Sequence, residues 1–280
     1  MEVYISIDME GIAGIATLDQ VHRGGHGYPR AQTLMTTEAN AAIAGAFDGG
    51  ADAVVVNDSH GTMDNLVHED LDTRARVIFG TPKLHCMAQG LSAQHDVALF
   101  VGYHAPAGGP GVLAHTFSAH FLEVRLNGQR VSETEVNALY ATSLGVPVGL
   151  VTGDDVTCDI AEANLPGVVT VAVKRAQGWS ATNSLSPSAA RDAIRAGAAK
   201  AVASANELVP INIPEEMVIE IDLPNTTAAE LAEQVPGAER SGNITVAHHA
   251  RSTSDVIGFI VVCYQLSQLA MLGRAVLLGR

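Results

Sequence analysis

Residues 3–14 read VYISIDMEGIAG, an alternating apolar strand that runs directly into two acids and a glycine. Val3, Ile5 and Ile7 fall on one face of an extended chain, which leaves Asp8 at the strand's C-terminal end. Residues two apart in a strand share a face. Extended geometry through Met9 would therefore put Asp8 and Glu10 on one side, where two carboxylates repel unless a cation lies between them. Gly11 and Gly14 free the backbone to turn sharply beside such a cation. Taken alone, DxEG reads more readily as a strand-to-helix loop whose acids cap the next helix, and the rest of the chain has to shift that reading.

Similar strand endings recur. ADAVVVNDSHG (51–61) is continuous and Val-rich, as expected of a parallel strand buried on both faces, and it closes on Asn57, Asp58, Ser59 and His60. VALFVGYHA (97–105) closes on His104, and PVGLVTGDD (147–155) on Asp154 and Asp155, which serve either as acids behind a site or as loop caps. Short strands are also expected over 74–80 and 168–176. Helices are expected over 31–47, 83–92 and 187–206, with Ser186 and Pro187 opening the last. This alternation predicts an α/β fold with a largely parallel central sheet and flanking helices, whose sites form beyond the carboxyl ends of the strands.

Around those endings lie polar loops. PAGGPGVLAHTFS (106–118) is a Gly/Pro loop presenting His115, with His120 close behind. FLEVRLNGQRVSE (121–133) reads as a hairpin turning at Asn127–Gly128. From Ser132 the pattern becomes helical, with Ser132 as N-cap, Glu135 completing a capping box and Gly145 as terminator. Glu133 is then either a first-turn acid favoured by the helix dipole or a further metal donor.

PINIP (210–214) interrupts the pattern, which predicts a catalytic α/β domain over 1–208 and a smaller α+β domain over 209–280 that takes part in oligomer packing. The latter ends in a helix over 252–272 whose apolar run is broken by Gln265, Ser267 and Gln268. It is expected to be too short to cross a membrane and to be buried or packed on another subunit. His248 and His249 are read as structural, and His22, His26, His68, His85 and His95 as loop or surface histidines.

Composition narrows the function. The 280 residues carry a net charge of −14 and are 47% hydrophobic, which suits a globular chain with a large core and excludes a nucleic-acid binder dependent on clustered Lys and Arg. Cys86, Cys158 and Cys263 are odd in number and far apart, as free thiols in a reducing compartment would be. With a strand beginning at once, this predicts a cytoplasmic protein without a membrane partner.

Asp8, Glu10, His60 and His104 thus come from the ends of three strands and Glu133 from just after a hairpin, all donors that zinc accepts. One zinc needs only three protein ligands plus water, whereas five with a bridging carboxylate suit two metals about 3.5–4 Å apart. Neither GxGxxG nor a Walker loop follows the first strand, and GxSxG is missing at a strand-to-helix turn.

SIDMEG (6–11), LMTTEAN (34–40), NDSHG (57–61), GYHA (102–105), AHT (114–116), SETEVNA (132–138) and GDD (153–155), in that order, closely resemble the zinc-dependent D-aminopeptidases of the bacterial dipeptide-permease operon. The resemblance implies a two-zinc aminopeptidase acting on small peptides or amino acid amides and assembled as a ring-stacked homodecamer. It places the metal ligands on Asp8 as the bridge, Glu10, His60, His104 and Glu133, and the catalytic histidine on His115. Residues 15–30 and 118–121 depart from the family pattern, and with them the basis for D-stereospecificity. A metal-dependent amidohydrolase acting on a non-peptide amide and a catalytically silent metal- or small-molecule-binding protein are the alternatives.

Overall fold

The computed structural model describes residues 1–277. Its first strand, β1 (Glu2–Ile7), stops at Ile7, earlier than the pleat of VYISIDME suggests. The chain continues through α1 (Leu18–Val21) and α2 (Tyr28–Asp48) to β2 (Ala53–Asp58), β3 (Ala75–Ile78) and β4 (Val97–Val101). A hairpin of β5 (Glu123–Leu126) and β6 (Gln129–Arg130) turns at Asn127–Gly128, both in the left-handed region, and leads into α3 (Glu133–Ser143). Ser132 and Glu135 close the expected capping box there. Then come β7 (Val148–Asp154), α4 (Asp155–Asn164), β8 (Val169–Gly178), β9 (Ala181–Ser184) and α5 (Pro187–Ala203). The chain ends with β10 (Met217–Asp222), α6 (Thr226–Ala232), β11 (Ala238–Arg240), β12 (Thr245–Ala250) and α7 (Thr253–Leu277).

The central sheet has the order β3-β2-β1-β4-β7-β8-β9 and is parallel except for β9. Its register aligns Ile7 with both Asp58 and Val101, so that β1, β2 and β4 end level with one another. Val3, Ile5 and Ile7 join Val54, Val56, Leu99 and Val101 in one core with α2 and α5. Those helices are Ala- and Gly-rich because they touch backbone to backbone: a Cβ on Gly45 would lie 2.3 Å from the Arg195 carbonyl oxygen. On the other face Tyr4, Ala98 and Phe100 pack with α3, α7 and the second sheet.

That second sheet, β11-β12-β10-β5-β6, is antiparallel and draws strands from both sides of residue 209, since β10 pairs with β5 as well as with β12. Two expectations need correction. The helix over 83–92 is only a single 3-10 turn, Cys86–Ala88, with Cys86 at φ 47° and Gly90 at φ 85° preventing an α-helix. The final helix runs to Leu277, and its segment Thr253–Gly273 is long and apolar enough by length and composition to cross a membrane, contrary to the expectation that polar residues shorten it. Those polar residues are absorbed by the fold: Ser267 is buried and Gln268 donates to the Tyr264 hydroxyl at 2.5 Å. Val256, Ile257, Phe259, Ile260 and Cys263 of the same helix are buried in the second core.

Candidate metal centre

The level ends of β1, β2 and β4 fix where the donors start. The Asp8 N–H donates to the Val101 carbonyl at 2.9 Å and the Ser59 N–H to that of Ile7 at 2.8 Å, so Asp8, His60 and His104 leave adjacent strands at one height. Beyond Asp8 the chain turns rather than staying extended: Gly11 N–H bonds the Gly102 carbonyl at 2.7 Å, and a Cβ on Gly11 would lie 2.1 Å from the Tyr103 carbonyl oxygen. The two acids therefore converge through a glycine turn seated on β4, not through the pleat. Glu133, the first residue of α3, completes the set.

All five predicted ligands meet, none more than 7% exposed. Their polar atoms form a chain. His60 Nδ1 lies 2.9 Å from Glu10 Oε2 and 3.2 Å from Asp8 Oδ1, while His104 Nε2 lies 3.3 Å from Asp8 Oδ2 and 3.1 Å from Glu133 Oε2. Asp8 stands in the middle, with one oxygen facing each half. Hydrogen bonds outside the centre set the tautomers: His60 Nε2–H donates to the Val21 carbonyl at 2.7 Å and His104 Nδ1–H to that of Ala105 at 3.1 Å, which turns the other ring nitrogen of each inward.

Two observations test whether a metal fits. Asp8 Oδ2 and His104 Nε2 are fully buried and face each other, yet neither makes a hydrogen bond. Such orphaned atoms are costly unless something else satisfies them. The donor atoms of Asp8, Glu10 and His104 also lie within 4.8 Å of one another, as do those of His104, His115 and Glu133, close enough for each group to converge on one ion. Burial pushes Asp8 towards its neutral form, but the imidazoles of His104 and His60 beside its two oxygens outweigh this and hold it well below the usual carboxylate range. Burial likewise opposes charge on the imidazoles, and the charges of Glu10 at His60 and Glu133 at His104 prevail, raising both well above the ordinary histidine value. The site holds positive charge among its carboxylates even as protons.

His115 stacks on His104 with ring centroids 4.0 Å apart and planes at 10°. Its loop is better anchored than its Gly and Pro content suggests. The His115 N–H donates to the Ala105 carbonyl at 3.1 Å, and Nδ1–H donates to that of Leu113 at 2.9 Å. Nε2 is left turned inward, 3.9 Å from Glu133 Oε1. Asp154 supports the same loop by accepting Val112 N–H at 2.7 Å while its other oxygen caps α4 at Thr157; Asp155 accepts Ala176 N–H. Asp154 thus ties the His115 loop to the start of α4, and Asp155 ties α4 to β8.

The centre opens into a cavity of about 520 Å³ walled by Tyr28, Phe117, Trp179, Tyr264 and Gln268, with His22 and His120 also among the lining residues. Trp179, on the β8–β9 turn, reaches it by donating from Nε1 to the Ala114 carbonyl at 3.2 Å. No local sequence pattern marks Trp179 or Tyr264, which arrive through tertiary packing. Of the other histidines, His248 stacks on Phe259 away from the centre, in keeping with a structural role.

The carboxylates and imidazoles gathered around Asp8 thus open directly to this cavity. Residues 1–262 match the family model of peptidase family M55, described as D-aminopeptidase, and the chain belongs to that family. A D-aminopeptidase of Bacillus subtilis (strain 168) is 37% identical over 268 residues, 95% of this chain and 98% of the relative. Among solved structures, the zinc-dependent D-aminopeptidase DppA from Bacillus subtilis, described as a self-compartmentalizing protease, superposes with a TM-score of 0.92. It is 36% identical over 96% of this chain and 98% of that one.

Proposed function

We propose that this chain is a dinuclear zinc aminopeptidase that removes the N-terminal residue, of D configuration, from short peptides or amino acid amides. The observation that carries the reading is Asp8, whose two oxygens face two separate donor sets. Asp8, Glu10 and His60 would hold one zinc; Asp8, His104 and Glu133 would hold the other. Zinc bound there supplies Lewis acidity, polarising a scissile carbonyl and making a water acidic enough to react near neutral pH.

The protein's own part is positioning and proton transfer. With its Nδ1–H fixed on the Leu113 carbonyl, His115 exchanges protons only at Nε2, the atom that faces the centre. It takes a proton from the attacking water and returns it to the leaving nitrogen as the C–N bond breaks. The aromatic wall sheds water around the susceptible bond. Residues 1–208 carry all six of these side chains. Residues 209–280 supply α7, which closes the cavity with Val261, Tyr264 and Gln268.

The exposed apolar residues Val262, Leu269 and Leu272 of α7 support a homo-oligomer, a decamer as in the family's ring assembly, and the three free cysteines suit the cytoplasm. Light scattering reporting a 29.1 kDa monomer would remove the assembly. The functional test is release of product from matched D- and L-aminoacyl amides and dipeptides, with and without chelator. Chelator-sensitive release that needs a free N-terminus and favours the D series is expected. Release only from non-peptide amides would make the chain an amidohydrolase, and no release at all a silent binding protein.

A further inference from the structure

Outside the donor set lies a buried cation that metal binding and proton transfer do not use. Lys174, on β8, is 2% exposed, and its Nζ donates to the carbonyl oxygens of Glu10, of Ile12 at 3.0 Å and of Ile15 at 2.7 Å. Three ammonium hydrogens meet three main-chain carbonyls and no carboxylate. Glu38 of α2, equally buried, holds the same turn by accepting the Ala13 N–H at 2.9 Å. Carbonyl dipoles that converge on one point repel each other in a low-dielectric interior unless a cation gathers them, and an ammonium with freely rotating donors suits a tripod where a planar guanidinium does not. The turn held in this way is the one that delivers Glu10. Its carbonyl is tied to Lys174, while its carboxylate reaches His60 Nδ1 at 2.9 Å.

We propose that Lys174 is a positioning residue of the metal centre, its ammonium setting the turn from which Glu10 completes the Asp8–Glu10–His60 half. This rests on the ligand assignment proposed above, and it makes the two halves unequal. The half built on Glu10 depends on Lys174, whereas the half built on His104 and Glu133, entering from β4 and α3, does not.

The test is chelator-competition titration of zinc on the full-length protein carrying Lys174→Met, with cobalt(II) absorption as a second readout of each half. Affinity of the Glu10 half is expected to weaken by about 10- to 100-fold, the usual effect of losing a group that orients a ligand, while the other half stays within about 3-fold. If Lys174→Met does not fold, Lys174→Arg keeps the charge but not the tripod and is expected to show the same one-sided loss. A folded variant with a lower melting temperature and both affinities unchanged would reduce Lys174 to a structural role and overturn the proposal, as would equal weakening of both halves. Failure of the dinuclear reading looks different, because wild-type protein would then bind fewer than two metals.

Discussion

Loading the centre with zinc should expel protons, and the structure sets their number. In the metal-free chain His60 Nδ1 sits 2.9 Å from Glu10 and 3.2 Å from Asp8, and His104 Nε2 sits 3.1 Å from Glu133 and 3.3 Å from Asp8. Burial opposes a charged ring, but the neighbouring carboxylates prevail, so both imidazoles titrate well above 6.5 and are protonated at about pH 7. A metal needs the lone pair that each proton occupies. Asp8 is already ionised and contributes none. Close to two protons should therefore leave per chain on binding two zinc ions. Isothermal titration calorimetry in two buffers of different ionisation enthalpy gives the count. The sign follows from raised folded values: the stability these protons give the metal-free chain is fully present below 6.5 and is lost as pH rises through the folded values. Release should accordingly decline towards zero in alkali, where metal-free protein also melts at a lower temperature. A count near zero at neutral pH, or one that does not change with pH, would refute the idea that imidazolium charge stands in for the metals.

Four substitutions probe the remaining geometry. Asp8→Ala removes the donor common to both halves and should lose both zinc ions by elemental analysis; retention of one would show that Asp8 does not bridge. Glu133→Ala should lose metal together with activity, whereas His115→Ala should keep both metals while kcat falls by roughly 10²–10⁴. Zinc depleted in proportion to activity would make His115 a ligand, and full activity would end its role as proton carrier. Gly11→Ala forces a Cβ to 2.1 Å from the Tyr103 carbonyl oxygen and should cost more than about 3 kcal/mol in urea denaturation, with an unchanged midpoint counting against the glycine turn.

The strands were legible because burial on both faces leaves continuous Val-rich runs, and the site because three of them end in residues with metal-binding atoms. Of the two readings of Glu133, the fold shows the first, an acid in the opening turn of α3, and its carboxylate lies beside His104, where the proposed metal donor would have to be. What sequence could not give depends on distant partners. Asp8 and Glu10 were expected to share a face of one strand, but β1 stops at Ile7 and a turn against Gly102 and Tyr103 brings them together. The Gly/Pro composition of the 106–118 loop does not show what holds it, which is Asp154 and the Ala105 carbonyl. Lys174 lies in an ordinary strand pattern, and only the fold shows three carbonyls arranged around its ammonium.

The candidate donors are spread along the chain between residues 8 and 133, and β1 pairs with β4 from Val3 opposite Val97 to Ile7 opposite Val101. Asp8 and Glu10 lie 52 and 50 residues from His60 along the chain and further still from His104 and Glu133. No short segment can capture zinc by itself, so the ion cannot seed folding as it does in a zinc finger. Parallel pairing over such distances is slow, and it has to precede loading. A site whose side chains come from three strand ends and a helix is thus assembled by long-range pairing and not by any one local segment.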